Sequence, residues 1–423
     1  MTPRLKTWRK RLANIRAHKR RSSRNCCFPY VFWIFAFIAI PVWGALGQGN
    51  GWDAKVYLNA IHSVQAGHDP YADGIAVQEA SHAQRKLHPL LPNPLVYVYS
   101  PLTLPLLRMI GILPLWFSIG IYWLLYGSGI SAQIYVGAQF IEPKEWRFFA
   151  FFAPAAAFFP GLLQNMVLWG GNIAYILYGL VLTAALLGWR RGHWRWFYLA
   201  VLVASCFKPP LLTLLAIPVL SSRGQWLPAS VTAGTGVGLF AIQSWVWPSY
   251  FHNYLCAVEL QFGYNHDFGS GPAGLLGSAL VMAGLTYSPW CMIFYGIITL
   301  PLFGLLFYLS RRFLRGDFTL ERWVPVMVTG VILLNPRIQE YDVAPLTLFM
   351  ALIFYRTCGR VFGAQRQNLF CALFFVGINI LVIPARTVLV DEHVLGSFIW
   401  SDAEGLLLAG IFMAGCRNLL RQT

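Results

Sequence analysis

The hydrophobic residues of this chain fall in long continuous runs and do not alternate with polar residues. Continuous runs predict helices that are buried or embedded in lipid, because the strands of a membrane β-barrel alternate in polarity. Some runs are shorter than the roughly 17 residues that span a bilayer, and such short helices persist where protein surrounds them. The runs cover residues 28–47, 95–140, 147–162, 172–189, 194–207, 209–220, 227–247, 289–310, 323–335, 342–356, 367–384 and 396–416.

The composition supports the same fold class. Hydrophobic residues make up 57% of the 423 positions, charged residues only 11%, and mean hydropathy is +0.55, whereas soluble domains carry about 25% charged residues. Aromatic residues, at 16%, suit membrane interfaces. We expect an all-α polytopic membrane protein with a bundle of about 12 transmembrane helices. Whether 95–140 crosses once or more is left open by its length and its prolines.

The charge distribution predicts the orientation. Ten of the 32 Lys and Arg residues lie in the first 24 positions, and we interpret 1–27 as a basic cytoplasmic tail facing anionic lipid, in preference to a nucleic-acid-binding tail. Later arginines fit the same side of the membrane. Residues 28–423 then form one transmembrane domain with cytoplasmic termini and two outer loops, 48–94 and 248–288. The eight cysteines show no metal-ligand spacing and no disulfide framework, so no metal is expected.

Under this topology four polar clusters share the outer side: the loop 48–94, the turn 164–172, the helix break 208–210 and the stretch 335–342. In the first, apolar residues at helical spacing predict a short helix over 54–66 that lies flat on the outer leaflet. Asp53 stands at its start. It is either an N-cap, which aspartate fills well, or a general base for a hydroxyl at the membrane edge. The sequence Gly-His-Asp-Pro-Tyr, 67–71, is expected to end this helix.

The other clusters carry cations and amides. Lys208 lies between two apolar runs, and a lone cation there is either functional or reaches the interface along its flexible stem. Arg337 suits bidentate phosphate binding, or else forms an ion pair with Glu340 or Asp342 at a helix corner. The Gly-Gly turn before Asn172 could offer backbone N–H groups to an anion. His266 lies in a Gly-rich stretch that forms either a lid or a plain loop.

The order of these pieces resembles glycosyltransferase family 87, membrane transferases of the GT-C fold that use polyprenyl-phosphate mannose. The resemblance rests on Asp53, Tyr57, Ala60 and the Gly-x-Asp-Pro-Tyr turn, on Tyr99-Ser-Pro-Leu, on Gly171-Asn172, on Lys208-Pro209, and on Asn335-Pro336 with Tyr341. The chain departs from the family pattern at two places: Gly-Asn stands for Gly-Gln, and Glu340 stands where a His is common.

The resemblance implies a GT-C-type bundle and an inverting transfer of a mannose-like hexose from a polyprenyl-phosphate sugar to a lipid or glycan acceptor on the outer face. It implies Asp53 as the general base, and Lys208 and Arg337 as ligands of the donor phosphate. It places Tyr57, Tyr99, Asn172 and Tyr341 as substrate contacts. His266 of the Gly-rich stretch and Gln339 of the stretch 335–342 are further candidates for substrate binding, on their polarity and position alone. No cofactor is expected beyond the donor substrate, and a bacterial inner membrane is the expected location.

Two other functions remain open on the sequence alone. A transporter or flippase for a lipid-linked or anionic solute also explains Lys208 and the broken helices. The third hypothesis is a non-catalytic scaffold in envelope assembly. The absence of a Walker motif, a Gly-x-Ser-x-Gly elbow and a His-Glu-x-x-His pair excludes the common soluble hydrolase and nucleotide chemistries.

Overall fold

The structure, a computed structural model, describes residues 51–87, 96–157, 170–261, 269–285, 290–390 and 394–421. The predicted basic tail, the first apolar run at 28–47 and most of the turn 164–172 lie outside these ranges. The described residues are all-helical and contain no strand, which confirms the all-α class.

Sixteen helical segments are described, and the longest of them, Thr347–Val390, is two helices joined at a kink at Gly363, whose φ is 74°. They are α1 Trp52–Gln65, α2 Pro70–Leu87, α3 Leu104–Ile112, α4 Leu115–Ala138, α5 Trp146–Ala157, α6 Ala174–Arg191, α7 Arg195–Phe207, α8 Ala216–Ser221, α9 Trp226–Val246, α10 Pro248–Glu259, α11 Pro272–Met282, α12 Trp290–Arg315, α13 Leu320–Leu333, α14 Glu340–Val343, α15 Thr347–Val390 and α16 Val394–Leu420. Short 3-10 turns at Pro101–Thr103, Pro209–Leu215 and Ala344–Leu346 precede α3, α8 and α15.

Two of the described helices are long and apolar enough to cross a membrane, over Trp290–Arg315 and Ile399–Leu420. Other helices that the apolar runs predict are shorter, such as α7 and α8. The count of about 12 transmembrane helices is therefore not established by the described residues.

The run 95–140 resolves into one short helix and one long one. The 9-residue α3 ends at Ile112, and the 24-residue α4 begins after Pro114, whose backbone is extended. A 9-residue helix is about 13 Å long, too short to span a bilayer, whereas α4 at about 36 Å is long enough. The three prolines of the run thus mark a short first arm followed by one long helix.

Both predicted outer loops are more helical than expected. The first contains α1 as predicted, and also α2, which starts at Pro70. Pro70 forbids continuation of α1 but suits the first position of a new helix, since its missing N–H would be unpaired there. The second loop contains α10 and the apolar helix α11.

The expectation that α1 lies flat on lipid is wrong for its apolar face. Val56, Ala60, Ile61 and Val64 are buried, and the first three belong to one cluster with Leu107 of α3. Protein therefore covers the stripe that the helical spacing predicts, and α1 is fixed to the bundle by side-chain packing.

The main core packs α4, α6, α7, α13, α15 and α16 together. Tyr178 of α6 donates to Asp342, while Arg190 near the end of the same helix bonds the Gln139 side chain. These two residues are separated by about 18 Å along the helix. The polar clusters at Asp342 and at Gln139 consequently lie at opposite ends of the bundle.

Candidate functional site

Asp53 occupies the first turn of α1. The N-cap of this helix is Gly51, which has no side-chain capping bond, so the interpretation of Asp53 as an N-cap is wrong. Trp52 packs against Gly170 and Ala54 against Gly171: an added Cβ would lie 2.8 Å from the Trp52 ring at Gly170 and 3.1 Å from the Ala54 Cβ at Gly171. Only glycine permits this close approach, which fixes the start of α1 against the Gly-Gly turn.

The turn after α1 joins it to two other elements. Gly67 has a φ of 79°, the left-handed conformation that the sequence predicts for the helix end. Asp69 caps α2 by accepting from the Tyr71 N–H at 2.9 Å, and its other oxygen accepts from Asn253 of α10 at 2.8 Å. The Tyr71 hydroxyl donates to the Tyr99 carbonyl at 2.5 Å. The turn is thus architectural and holds α1, α2 and α10 in one arrangement.

A pair of tyrosine hydroxyls connects α1 to the segment before α3. The Tyr57 and Tyr99 oxygens lie 2.7 Å apart, and the Tyr57 oxygen also accepts from the Ile173 N–H at 3.1 Å. Burial raises the pKa of Tyr57, and the charges of Tyr99, Tyr122 and Asp53 raise it further. Tyr57 therefore stays a neutral hydroxyl, and the Asp53 carboxylate lies within electrostatic range of it.

Lys208 lies between α7 and the Pro209–Leu215 turn, with an extended backbone at φ −128°. Its Nζ donates to the Asn172 Oδ1 at 3.2 Å and lies 3.8 Å from the centroid of the Tyr341 ring. The Tyr99 ring is 5.9 Å away. The amide oxygen and the two aromatic faces attract the ammonium and hold it in place. The ammonium points into the bundle, which disfavours the alternative of a side chain that reaches the interface.

The Gly-Gly-Asn turn is occupied by other parts of the protein. The Asn172 oxygen also accepts from the Ala174 N–H at 2.9 Å, and the Ile173 N–H donates to Tyr57. Two of the N–H groups at the start of α6 are thus paired with side chains. The prediction that this turn offers free backbone N–H groups to an anion is therefore not supported at these two positions.

The 335–342 turn is stabilised by its own side chains. Asp342 accepts from the Gln339 N–H at 3.0 Å through one oxygen and from the Tyr178 hydroxyl at 3.0 Å through the other. Asp342 caps the short helix α14 from within its first turn, in the manner of a capping box. Asn335 accepts from the Arg337 N–H at 3.2 Å. The predicted role of Asp342 as an ion-pair partner is thus replaced by these two bonds.

Part of the second predicted outer loop packs on this turn. The Ser270 N–H donates to the Ile338 carbonyl at 2.5 Å, and the Ser270 hydroxyl donates to Glu404 of α16 at 3.1 Å. Gly269 has a φ of 72°, and a Cβ there would lie 2.8 Å from the Gln339 side-chain nitrogen. The Gly-rich stretch therefore reaches the same end of the bundle as Lys208. His266 itself lies outside the described residues.

Two tyrosines near Lys208 are not distinguished by the sequence patterns. The Tyr122 hydroxyl donates to the Gly171 carbonyl, and its ring packs edge-on to Tyr57 at 5.8 Å. Tyr175 is fully buried and its hydroxyl has no hydrogen-bond partner. Carboxylates of three separate elements interact electrostatically with it, among them Asp53, Glu340 and Glu404. Tyr175 lies three residues after Asn172, inside an apolar run. Its hydroxyl is the only feature by which the sequence could have identified it as a candidate site residue.

Most of the sequence-predicted residues therefore belong to one contiguous set, which we call the Lys208 site. It consists of Tyr57, Tyr99, Asn172, Lys208 and Tyr341, connected by the contacts above, and of Asp53, which lies within electrostatic range of Tyr57. Gln339 and the backbone of Arg337 lie on the turn that carries Tyr341. Within the described part of the chain, no group of three or more His, Cys, Asp or Glu side chains could hold a metal ion.

Comparison of the chain with protein-family models, with curated proteins and with solved structures finds no match. The geometry and the chemistry of the Lys208 site are therefore the basis on which a function can be inferred.

Proposed function

We propose that this protein is a membrane glycosyltransferase that moves a hexose from a polyprenyl-phosphate sugar to a lipid or glycan acceptor. The observation that carries the proposal is the convergence of one carboxylate, Asp53, and one held ammonium, Lys208, at a single end of a helical bundle. A base and a fixed cation are the two groups that displacement of a phosphate leaving group requires.

The apolar exterior supports a lipid-borne donor. Large apolar side chains are exposed along α4, α9 and α12, including Trp116 at 75%, Trp245 at 86% and Leu300 at 74%. A water-facing surface rarely presents so much apolar area, whereas lipid accepts it. We propose that the bundle spans the membrane about 12 times with the Lys208 site at the outer face, and that the bacterial inner membrane is its location.

In the proposed reaction Asp53 accepts the proton of an acceptor hydroxyl. The acceptor oxygen attacks the anomeric carbon of the sugar, the bond from that carbon to the phosphate oxygen breaks, and the electron pair leaves with the polyprenyl monophosphate. The configuration at the anomeric carbon inverts. Lys208 stabilises the charge that develops on the leaving phosphate, and Arg337 is the proposed second cation.

The tyrosines have a positioning role in this proposal. The Tyr57 and Tyr99 hydroxyls, 2.7 Å apart, keep α1 at a fixed distance from the segment before α3. Because Asp53 lies one turn before Tyr57 on the same helix, this pair sets the position of the carboxylate relative to Lys208. Tyr341 provides the aromatic face that holds the Lys208 ammonium.

The proposal is tested by incubating the purified protein with a panel of polyprenyl-phosphate sugars and a bacterial lipid extract, and reading products by mass spectrometry. One sugar transferred to one acceptor class, with release of polyprenyl monophosphate, is the expected result. The same donors in sealed proteoliposomes provide the second arm. Movement of intact donor across the bilayer without any transfer product would contradict the enzyme and favour a flippase.

A further inference from the structure

A polar cavity lies at the end of the bundle opposite the Lys208 site. Its volume is about 490 Å³, within the range of small-ligand sites, which runs from about 300 to 1,000 Å³. It opens between the segment after α4, the start of α13, the middle of α15 and the end of α16. We call it the arginine cavity, because Arg322, Arg356 and Arg360 line it.

Two of the three arginines are fixed by carboxylates of the segment after α4. Arg356 bonds both oxygens of Glu145 at 2.8 Å and also donates to the carbonyls of Phe140 and Glu321. Arg322 bonds Glu142 at 2.8 Å. Burial opposes ionisation of Glu142, but the bond from Arg322 and the charge of Arg356 outweigh it and hold its pKa below the ordinary value. We call the pairs Arg356–Glu145 and Arg322–Glu142 the wall of the cavity, because they fix the side chains on one of its sides.

The third arginine has no such partner. Among the described residues, no carboxylate or hydrogen-bond acceptor contacts the Arg360 guanidinium within bonding distance. Its charged neighbours are Arg322 and Arg421, and after desolvation these like charges lower the pKa of Arg360. With Lys144, the cavity lining has four cations and two carboxylates, which leaves an excess of two positive charges.

Amide side chains complete the lining. Gln367 donates to the Tyr355 carbonyl at 2.7 Å, and Asn368 accepts from the Tyr355 hydroxyl at 2.7 Å. Asn418 of α16 donates to Thr357 at 2.7 Å. Gly359 permits the close approach of the Gln367 side chain, since a Cβ there would lie 2.7 Å from it. The amides are therefore positioned by the helices and do not depend on a ligand for their orientation.

We propose that the arginine cavity is a binding site for a phosphate group, with Arg360 as the residue that contacts it directly. The planar fork of a guanidinium matches the oxygens of phosphate, and an unneutralised pair of positive charges favours a dianion. The phosphate belongs either to a free solute or to the head group of an anionic lipid, since both present the same oxygens to a guanidinium. The site is independent of the glycosyltransferase proposal.

The test uses the full-length protein purified in an uncharged detergent. In the first arm, binding of inorganic phosphate and of pyrophosphate is measured by equilibrium dialysis. In the second arm, the protein is placed in nanodiscs of phosphatidylcholine or of phosphatidylcholine with phosphatidylglycerol, and lipid retained on the extracted protein is counted by native mass spectrometry. Saturable binding in the first arm identifies a free phosphate, and selective retention of phosphatidylglycerol in the second identifies a lipid.

The variant Arg360→Gln removes the proposed contact and breaks no bond of the wall, so it leaves the fold intact. We expect it to weaken binding at least about tenfold, as loss of a charge-assisted bond does. Arg147→Gln is the matched control, because Arg147 is exposed at the start of α5 and does not line the cavity. Equal binding by wild type and Arg360→Gln, or no binding in either arm, would overturn the proposal.

Discussion

The ammonium of Lys208 lies 3.8 Å from the centre of the Tyr341 ring and 3.2 Å from the Asn172 side-chain oxygen. Three segments that are distant in sequence thus meet at one cation: the start of α6, the break after α7 and the short helix α14. The aromatic face and the amide oxygen both attract a cation, so these contacts fix the position of the ammonium.

Replacement of this cation should weaken both donor binding and turnover. We expect Lys208→Gln to lower kcat/KM for a polyprenyl-phosphate sugar about 100-fold, the effect of removing one preorganised charge from a transition state. Lys55→Gln is the control, because Lys55 is exposed on α1 close to Asp53 in sequence. Initial rates of sugar transfer give the comparison. A Lys208→Gln protein that is folded and as active as the control would exclude the leaving-group role.

The hydroxyl pair of Tyr57 and Tyr99 should contribute to stability as a unit. Removing either hydroxyl breaks the same 2.7 Å contact. The two Phe substitutions and their double variant should therefore show a coupling free energy of about 1 kcal/mol. Thermal unfolding in detergent provides the measurement. Strictly additive effects would show that the pair does not position α1.

Two tyrosines on α6 should respond to Phe substitution with opposite signs. The Tyr175 hydroxyl is buried without a partner, so Tyr175→Phe should raise the free energy of unfolding by about 1 kcal/mol. The Tyr178 hydroxyl donates to buried Asp342, so Tyr178→Phe should lower it by a similar amount. If the Tyr175 hydroxyl contacts substrate, sugar transfer falls in Tyr175→Phe although stability rises. Destabilisation of similar size in both variants would contradict this assignment.

The Glu145–Arg356 pair should be essential to the opposite end of the bundle. The Glu145 side chain is 3% exposed and bonds Arg356 through both oxygens. Glu145→Gln leaves a buried guanidinium without its counter-charge, which should cost about 3 kcal/mol. Glu79→Gln, an exposed acid of α2, is the control for removal of a negative charge. Thermal unfolding gives the measurement. A destabilisation of less than a quarter of the predicted value would show that water or lipid replaces the carboxylate.

The sequence predicts much of the helical architecture, because continuous apolar runs report burial directly. The bounds of α7 and α9 agree with their runs within a residue. Apolar runs do not predict helices in polar stretches. Helix α2 is an example, because it begins at Pro70, the proline that also prevents α1 from continuing. Helix α11 was missed because its apolar stretch is only 11 residues long and lies within a loop.

The candidate site was predictable where a polar residue interrupts an apolar run. Lys208 is the clearest example, since an interrupting cation needs a structural or chemical reason. The partners of such residues were not predictable, because they come from distant segments. The contact of Tyr341 with Lys208 and the hydrogen bond from Tyr178 to Asp342 depend on how α6, α7 and α14 pack. In the sequence, the residues of the arginine cavity are recognisable only as positive charges that are predicted to lie on one side of the membrane.

Asp53 is the proposed base of sugar transfer, and Asp53→Asn removes its ability to accept a proton while keeping its size. The measurement is the initial rate of hexose transfer from a polyprenyl-phosphate sugar by purified protein, with unfolding temperature as the check on folding and Glu79→Gln as the control. Loss of a general base should lower the rate at least about 100-fold in a protein of unchanged unfolding temperature. A folded Asp53→Asn variant with wild-type turnover would exclude Asp53 as the base.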